Sequence, residues 1–167
     1  IDVPIARKIS PIDNLRSILR LYRLMKAERY DIVHVHTPVA AILGRLAAKL
    51  AGTPHVIYTA HGFYFHEGMS RAAFRFFYGL EKFFAKYFTD WLLLQSREDF
   101  ELSVERRFTR SDRILHLGNG VDVRGTFNRE LLDAGRLAEL KKRLGIDEGD
   151  VVFAFIGRFV KEKGVLE

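Results

Sequence analysis

The residues of this chain best suited to chemistry are three histidines and one basic pair. His34 and His36 stand in "HVH", and His61 closes the run "HVIYTAHG". Side chains alternate along a strand, so His34 and His36 share a face. With His61 from a second strand they have the makings of a three-histidine metal site. No carboxylate stands at ligand spacing nearby, and a single His-x-His more often marks packed, hydrogen-bonded rings; no metal ligand is assigned. His61 ends an apolar run and precedes Gly62 and an aromatic, turn-rich loop, the position of a polar group on the rim of a ligand crevice. In "GRFVKEKG", Arg158 and Lys163 follow an apolar run where a helix should start. Basic groups beside free helix-terminal N–H groups suit a diphosphate; two solvated charges in a surface loop fit the same residues. "GNGVD", with Asn119, reads as a tight turn that uses Gly and Asn for positive φ. Neither G-x-G-x-x-G nor G-x-x-x-x-G-K-[ST] occurs, so the usual dinucleotide and P-loop readings lack support.

The elements that must position these residues alternate. "SPID" has the form of a capping box, with Ser10 as N-cap and Pro11 in the first turn, and predicts a helix to about Glu28. Residues 31–36 read as a buried strand, 39–51 as a helix of small residues stopped by Gly52 and Pro54, and 55–61 as a second strand. A long aromatic helix to about Phe88, the strand "WLLLQ", a helix capped by "SRED" and the strand "RILHL" follow. A charged helix is expected over 130–144, stopped by Gly145, and "VVFAFIG" as the opening of a further strand. Continuous apolar strands alternating with helices predict an α/β, Rossmann-like parallel sheet with helices on both faces. Loops after such strands emerge at the carboxyl edge, where ligands bind. His36, His61, Ser96 and Asn119 each fall at or just after a strand's carboxyl end.

Composition sets outer limits. At 167 residues the chain is about one domain long. Its 48% hydrophobic and 29% charged residues match a globular protein rather than a disordered one. No apolar run is long enough to span a bilayer, no signal-peptide pattern opens the sequence, and the absence of cysteine excludes disulfides and thiolate chemistry. A cytoplasmic location is the default. The +6 net charge favours an anionic partner without choosing one. The basic residues are spread over several helices and no RNA-binding motif appears, which argues against nucleic acid. Within residues 71–88, Phe74, Phe77, Leu80, Phe84 and Phe88 align on one side and Arg71, Arg75, Lys82 and Lys86 on another. That is the form of a membrane-surface helix, and also of a helix covering a sheet with its basic face in water.

Taken in order, "VHVHTPVAAILGRLAAKLAGTPHVIYTAHGF", "GNGVD" and "FIGRFVKEKG" resemble the retaining, GT-B-fold glycosyltransferases of family four, in the flavour of the bacterial capsule and exopolysaccharide enzymes. The resemblance covers nearly the whole chain. It implies two Rossmann-like domains across a cleft: residues 1–127 as part of the acceptor-side domain, 128–150 as a linker with a helix, and 151–167 as the start of the donor-binding domain. It implies His61 as catalytic, Arg158 and Lys163 as the pair holding the donor diphosphate, and His36, Gly62, Ser96 and Asn119 as cleft-lining residues. The donor would be a nucleotide-diphosphate sugar and the acceptor a saccharide, polyprenyl-diphosphate-linked or other. No metal or other cofactor is expected, because cationic side chains would neutralise the leaving group. The enzyme would work peripherally on the inner face of the cell membrane, on an anionic surface met by the four basic residues of the aromatic helix. The family's first strand and glycine-rich loop are expected before Ile1 and its paired glutamates beyond Glu167, so this stretch is expected to be inactive alone. Two rivals stand: a sugar-nucleotide 2-epimerase of the same fold, which needs cleft carboxylates, and a non-catalytic basic module that binds membrane.

Overall fold

Five α-helices, two short 3₁₀ turns and four strands form among residues 11–157 and 159, the part of the chain that this computed structural model describes. They run α1 (Pro11–Glu28), β1 (Ile32–His36), α2 (Pro38–Ala51), β2 (His55–Ala60), α3 (Arg71–Tyr87), β3 (Trp91–Leu94), α4 (Arg97–Glu105), β4 (Ile114–His116) and α5 (Ala134–Leu144). The strands pair in parallel in the order β1-β2-β3-β4, and His36 lies opposite Thr59 and Ala60 opposite Leu94. This register brings the carboxyl ends of β1, β2 and β3 to one edge. It is the parallel, Rossmann-like α/β architecture that the apolar runs predict.

Helical cover, expected on both faces, lies on one face among the described residues. Val33, Val56, Tyr58, Leu92, Leu94 and Ile114 are buried, whereas Ile32, His34, Trp91 and Leu115 on the opposite face are exposed and Ile57 and Leu93 half-buried. The reason is topological. Each strand adds on the same side of its predecessor, and right-handed crossovers then put every connecting helix on one face. Burial of Val56, Leu92 and Leu94 contributes about 1.5–3 kcal/mol each, so this face holds the sheet to its helices. Two clusters do so: Met25 of α1 with Ala47 and Ala48 of α2 on Val33 and Val56, and Phe65 and Phe108 with Ala85 of α3 on Tyr58, Leu92 and Ile114.

Local chemistry sets the element ends. The small residues of α2 permit close approach: a Cβ on Gly44 would meet Val35 Cγ1 at 2.7 Å. Gly52 ends that helix in the left-handed region, φ 82°, and Gly145 ends α5 in the same way, φ 65°. Ser70, Ser96 and Asp133 cap α3, α4 and α5 with side-chain oxygens that accept backbone N–H bonds. The capping role expected of Ser10 lies outside the described residues. Asp122, in "GNGVD", accepts from the N–H groups of Gly125 and Thr126, which hold its carboxyl below the usual range.

The chain divides into two compact units between Asn119 and Gly120. The second holds α5 and the run expected to open a strand. That expectation is corrected: residues 151–157 form no strand, and Phe153 and Ile156 are 93% and 98% exposed. A strand exists only by pairing, and no second strand is described within this unit.

Candidate functional site

Three neighbouring strand ends deliver a row of hydrogen-bonded side chains. His36 ends β1, His61 follows β2 and Gln95 follows β3. His36 Nδ1 lies 3.0 Å from His61 Nε2, and His61 Nδ1 lies 2.8 Å from Gln95 Oε1. An amide oxygen only accepts, so with Oε1 facing the ring, His61 Nδ1 carries the proton and Nε2 is left as the acceptor from His36. The amide fixes ring orientation and tautomer without adding a charge. His36 and His61 are both exposed, so a ligand can compete for Nε2. Behind them His34 bonds the Thr59 hydroxyl at 2.8 Å. Partial burial, then the charge of His36, lowers the His34 pKa. Among the described residues no three metal-ligating side chains converge; the facing nitrogens of His36 and His61 engage each other.

The loop after His61 is anchored from below. Gly62 takes φ 127°, a conformation that a side chain would strain. The next residue, Phe63, donates its N–H to Asp99 Oδ2 at 3.2 Å. Burial raises the Asp99 pKa despite that bond, with Glu98 adding to the effect. The hydroxyl of Ser96 is engaged as the α4 cap, accepting from Asp99 N–H at 3.2 Å, so its side chain supports the rim. Asn119 is exposed just beyond Gly118, which has φ 65°. Arg158 and Lys163, the expected diphosphate pair, lie outside the described residues. The sequence reading missed Gln95 and Asp99; the signal available for Gln95 was its position, one residue past a strand and beside His61 in register.

At one side of this rim a cavity of about 530 Å³ opens between α2 and α3. Helix α3 carries three stripes. Phe74, Phe77, Tyr78, Phe84 and Ala85 face the core. Arg71, Arg75 and Lys86 are exposed and Lys82 half-buried. A third stripe, Phe76, Phe83 and Tyr87, faces outward, 63%, 49% and 57% exposed, with half-buried Leu80 in line with it. Lys86 Nζ sits 5.2 Å from the Tyr87 ring centroid, where the basic and aromatic stripes meet. Most of the aromatics read from the sequence as a membrane face are therefore spent on the core, and a different set remains outside.

The Glycosyltransferase Family 4 model matches residues 2–124. Over 163 residues the chain is 36% identical to the UDP-Gal:alpha-D-GlcNAc-diphosphoundecaprenol alpha-1,3-galactosyltransferase of Escherichia coli, covering 97% of this chain and 41% of that protein. Over 167 residues it is 28% identical to the capsular polysaccharide biosynthesis glycosyltransferase CapM of Staphylococcus aureus, covering 99% of this chain and 42% of that one. A glycosyltransferase from Rickettsia africae ESF-5 superposes on 87% of this chain and 36% of its own with a TM-score of 0.60 at 19% identity, a likeness of fold. The chain thus spans about two-fifths of the length of the two named relatives.

Proposed function

This chain belongs to glycosyltransferase family 4, and we propose that the full-length protein transfers a sugar, with retention, from a nucleotide-diphosphate sugar to a lipid-linked saccharide in surface polysaccharide synthesis. The observation that carries the reading is His61, exposed at the carboxyl edge and held by His36 and Gln95, in a chain similar along 97% of its length to an enzyme named for galactosyl transfer to a diphosphoundecaprenol-linked sugar. Its Nε2 is the group a sugar hydroxyl would engage in place of His36. Arg158 and Lys163 would hold the donor diphosphate and stabilise its departure, so that no metal is required. Asn119 and Gly62 would line the same cleft. An acceptor with a polyprenyl anchor brings the enzyme to a membrane surface, and α3 supports that contact with its exposed aromatic stripe beside Arg71, Arg75, Lys82 and Lys86. Anionic headgroups would attract these four at about 1 kcal/mol per basic residue.

The test is transfer. The full-length protein is incubated with labelled nucleotide-diphosphate sugars and GlcNAc-diphosphoundecaprenol, and labelled lipid product is expected. An epimerised sugar formed without acceptor would instead favour the 2-epimerase, and no transfer from any donor would overturn the reading. Vesicle sedimentation addresses the membrane contact. Binding should need anionic lipid, weaken with salt and fall when the four basic residues become Gln; equal binding to neutral vesicles would contradict it.

A further inference from the structure

We propose that the cavity between α2 and α3 holds the first isoprene units of the acceptor's lipid tail, an assignment that rests on the lipid-linked acceptor just proposed. Its volume of about 530 Å³ falls within the range of small-molecule sites, roughly 300–1,000 Å³. Pro38, Val39 and Ile42 of α2 face Phe76 and Leu80 of α3 across it, with Tyr64 of the intervening loop. Asn14 and Glu81, the latter paired with Arg45, are the polar residues of the lining; the remainder is apolar and suits a branched hydrocarbon better than a sugar or nucleotide.

The surroundings of the cavity meet what such a substrate needs. Pro38 is two residues from His36 and Tyr64 three from His61, so the chain cannot carry either more than roughly 10 Å from the row. On this proposal the acceptor's diphosphate bridges the gap between a saccharide on His61 and a lipid in the cavity. Two polar features adjoin the cavity. Helix α2 begins at Pro38 with no side-chain cap, leaving helix-terminal N–H groups for an anion. Asn14, in the cavity wall, has a buried amide oxygen without a hydrogen-bond partner, and an amide turned over presents two N–H donors. Exposed Phe76 and half-buried Leu80, both in the lining, continue along α3 to exposed Phe83 and Tyr87. On this proposal the cavity connects the surface that meets the bilayer with the rim that does the chemistry, so that a tail stays partly in lipid while its headgroup reaches His61.

Calorimetry of the full-length protein with C10, C15 and C20 prenyl diphosphates, below their micelle concentrations, against inorganic diphosphate tests this. Each isoprene unit that enters should raise affinity at least about tenfold, until the cavity is full, and Ile42→Trp should flatten the series early while inorganic diphosphate binds as before. A C20 compound binding no better than inorganic diphosphate, or an unchanged series in a folded Ile42→Trp protein, would overturn the proposal. A photoreactive prenyl diphosphate gives a second reading in the unmodified protein, whether or not the variant folds. Labels in peptides containing residues 38–43 and 76–80 support the cavity; labels only elsewhere contradict it. Sugar transfer separates the two layers. Transfer with equal KM for short- and long-tailed acceptors defeats the cavity alone, whereas tail-dependent binding without transfer defeats the enzymatic reading alone.

Discussion

Two polar clusters of this molecule are each held by side-chain hydrogen bonds and differ in what water and ligands can reach. In the interior, Arg45 of α2 donates to Glu81 Oε1 at 2.9 Å, to the Thr89 hydroxyl at 3.3 Å and to Ala41 O at 3.2 Å, with its guanidinium 4.1 Å from the Tyr58 ring centroid. Arg45 is 0% and Glu81 5% exposed. Burial, with the Glu81 charge adding to it, drives the Tyr58 pKa well above its ordinary value. At the rim, His36, His61 and Gln95 make a row of comparable length that water and ligands can reach. Convergence of polar side chains is common to both. Accessible, replaceable hydrogen bonds belong to the rim alone, and that distinguishes a site from a fastening.

The comparison breaks if the interior pair proves dispensable. Arg45→Ala leaves the Glu81 carboxylate buried without its partner, and denaturation should show a loss of about 3–5 kcal/mol. Replacing both, Arg45→Met with Glu81→Leu, should restore most of it, since apolar pairs of similar volume substitute well for buried ion pairs. A loss under about 1 kcal/mol in the single variant would mean that the pair is not a fastening.

Asp90, before β3, is a smaller fastening at the amino edge. It accepts from Lys49 Nζ at 2.8 Å and from Val56 N–H at 2.8 Å, with Arg113 at 3.7 Å. Partial burial works to raise its pKa, but the Lys49 and Val56 bonds prevail and the net value lies below the ordinary 3.8. Asp90→Ala should cost about 1–3 kcal/mol. A depressed carboxyl pKa gives stability that is present above the unfolded value and lost as pH falls through the folded one. Denaturation midpoints should therefore fall less steeply below about pH 4 in Asp90→Asn than in the parent; parallel curves would remove Asp90 from the acid response.

At the rim the expected effects move from stability to rate. Gln95→Ala should leave stability within about 0.5 kcal/mol and slow transfer about tenfold, roughly 1.4 kcal/mol in the barrier. Gln95→Glu puts a carboxylate on Nδ1–H, favours the imidazolium and should move the acid limb of the pH–rate profile upward. A residue that only packs would leave that limb in place.

Much of the fold was legible because apolar runs, caps and left-handed glycines are local signals. Gly52 and Gly145 end helices where their positions predict, and His36 and His61 reach the rim because strands of parallel register must end together. What escaped depends on partners far along the chain. The periodicity of α3 contains both the stripe that packs and the stripe that stays outside, and only the position of β2 and β3 chooses Phe77 and Phe84 for the core over Phe76 and Phe83. Residues 151–157 have the composition of a strand but no described neighbour within their unit to pair with. Gln95 carries no charge and belongs to no motif, so its bond to His61 emerges only once β2 and β3 lie side by side.

The central claim, that the row at the carboxyl edge does chemistry and the buried pair does not, comes down to His61. The direct measurement is kcat for sugar transfer by full-length His61→Ala protein, with its unfolding midpoint and donor affinity measured alongside. The account predicts a fall of at least ~10²-fold, the size expected for a positioned catalytic group, with stability within about 0.5 kcal/mol of the parent. Parental turnover in a folded variant, or a loss of activity that merely tracks unfolding, would contradict it.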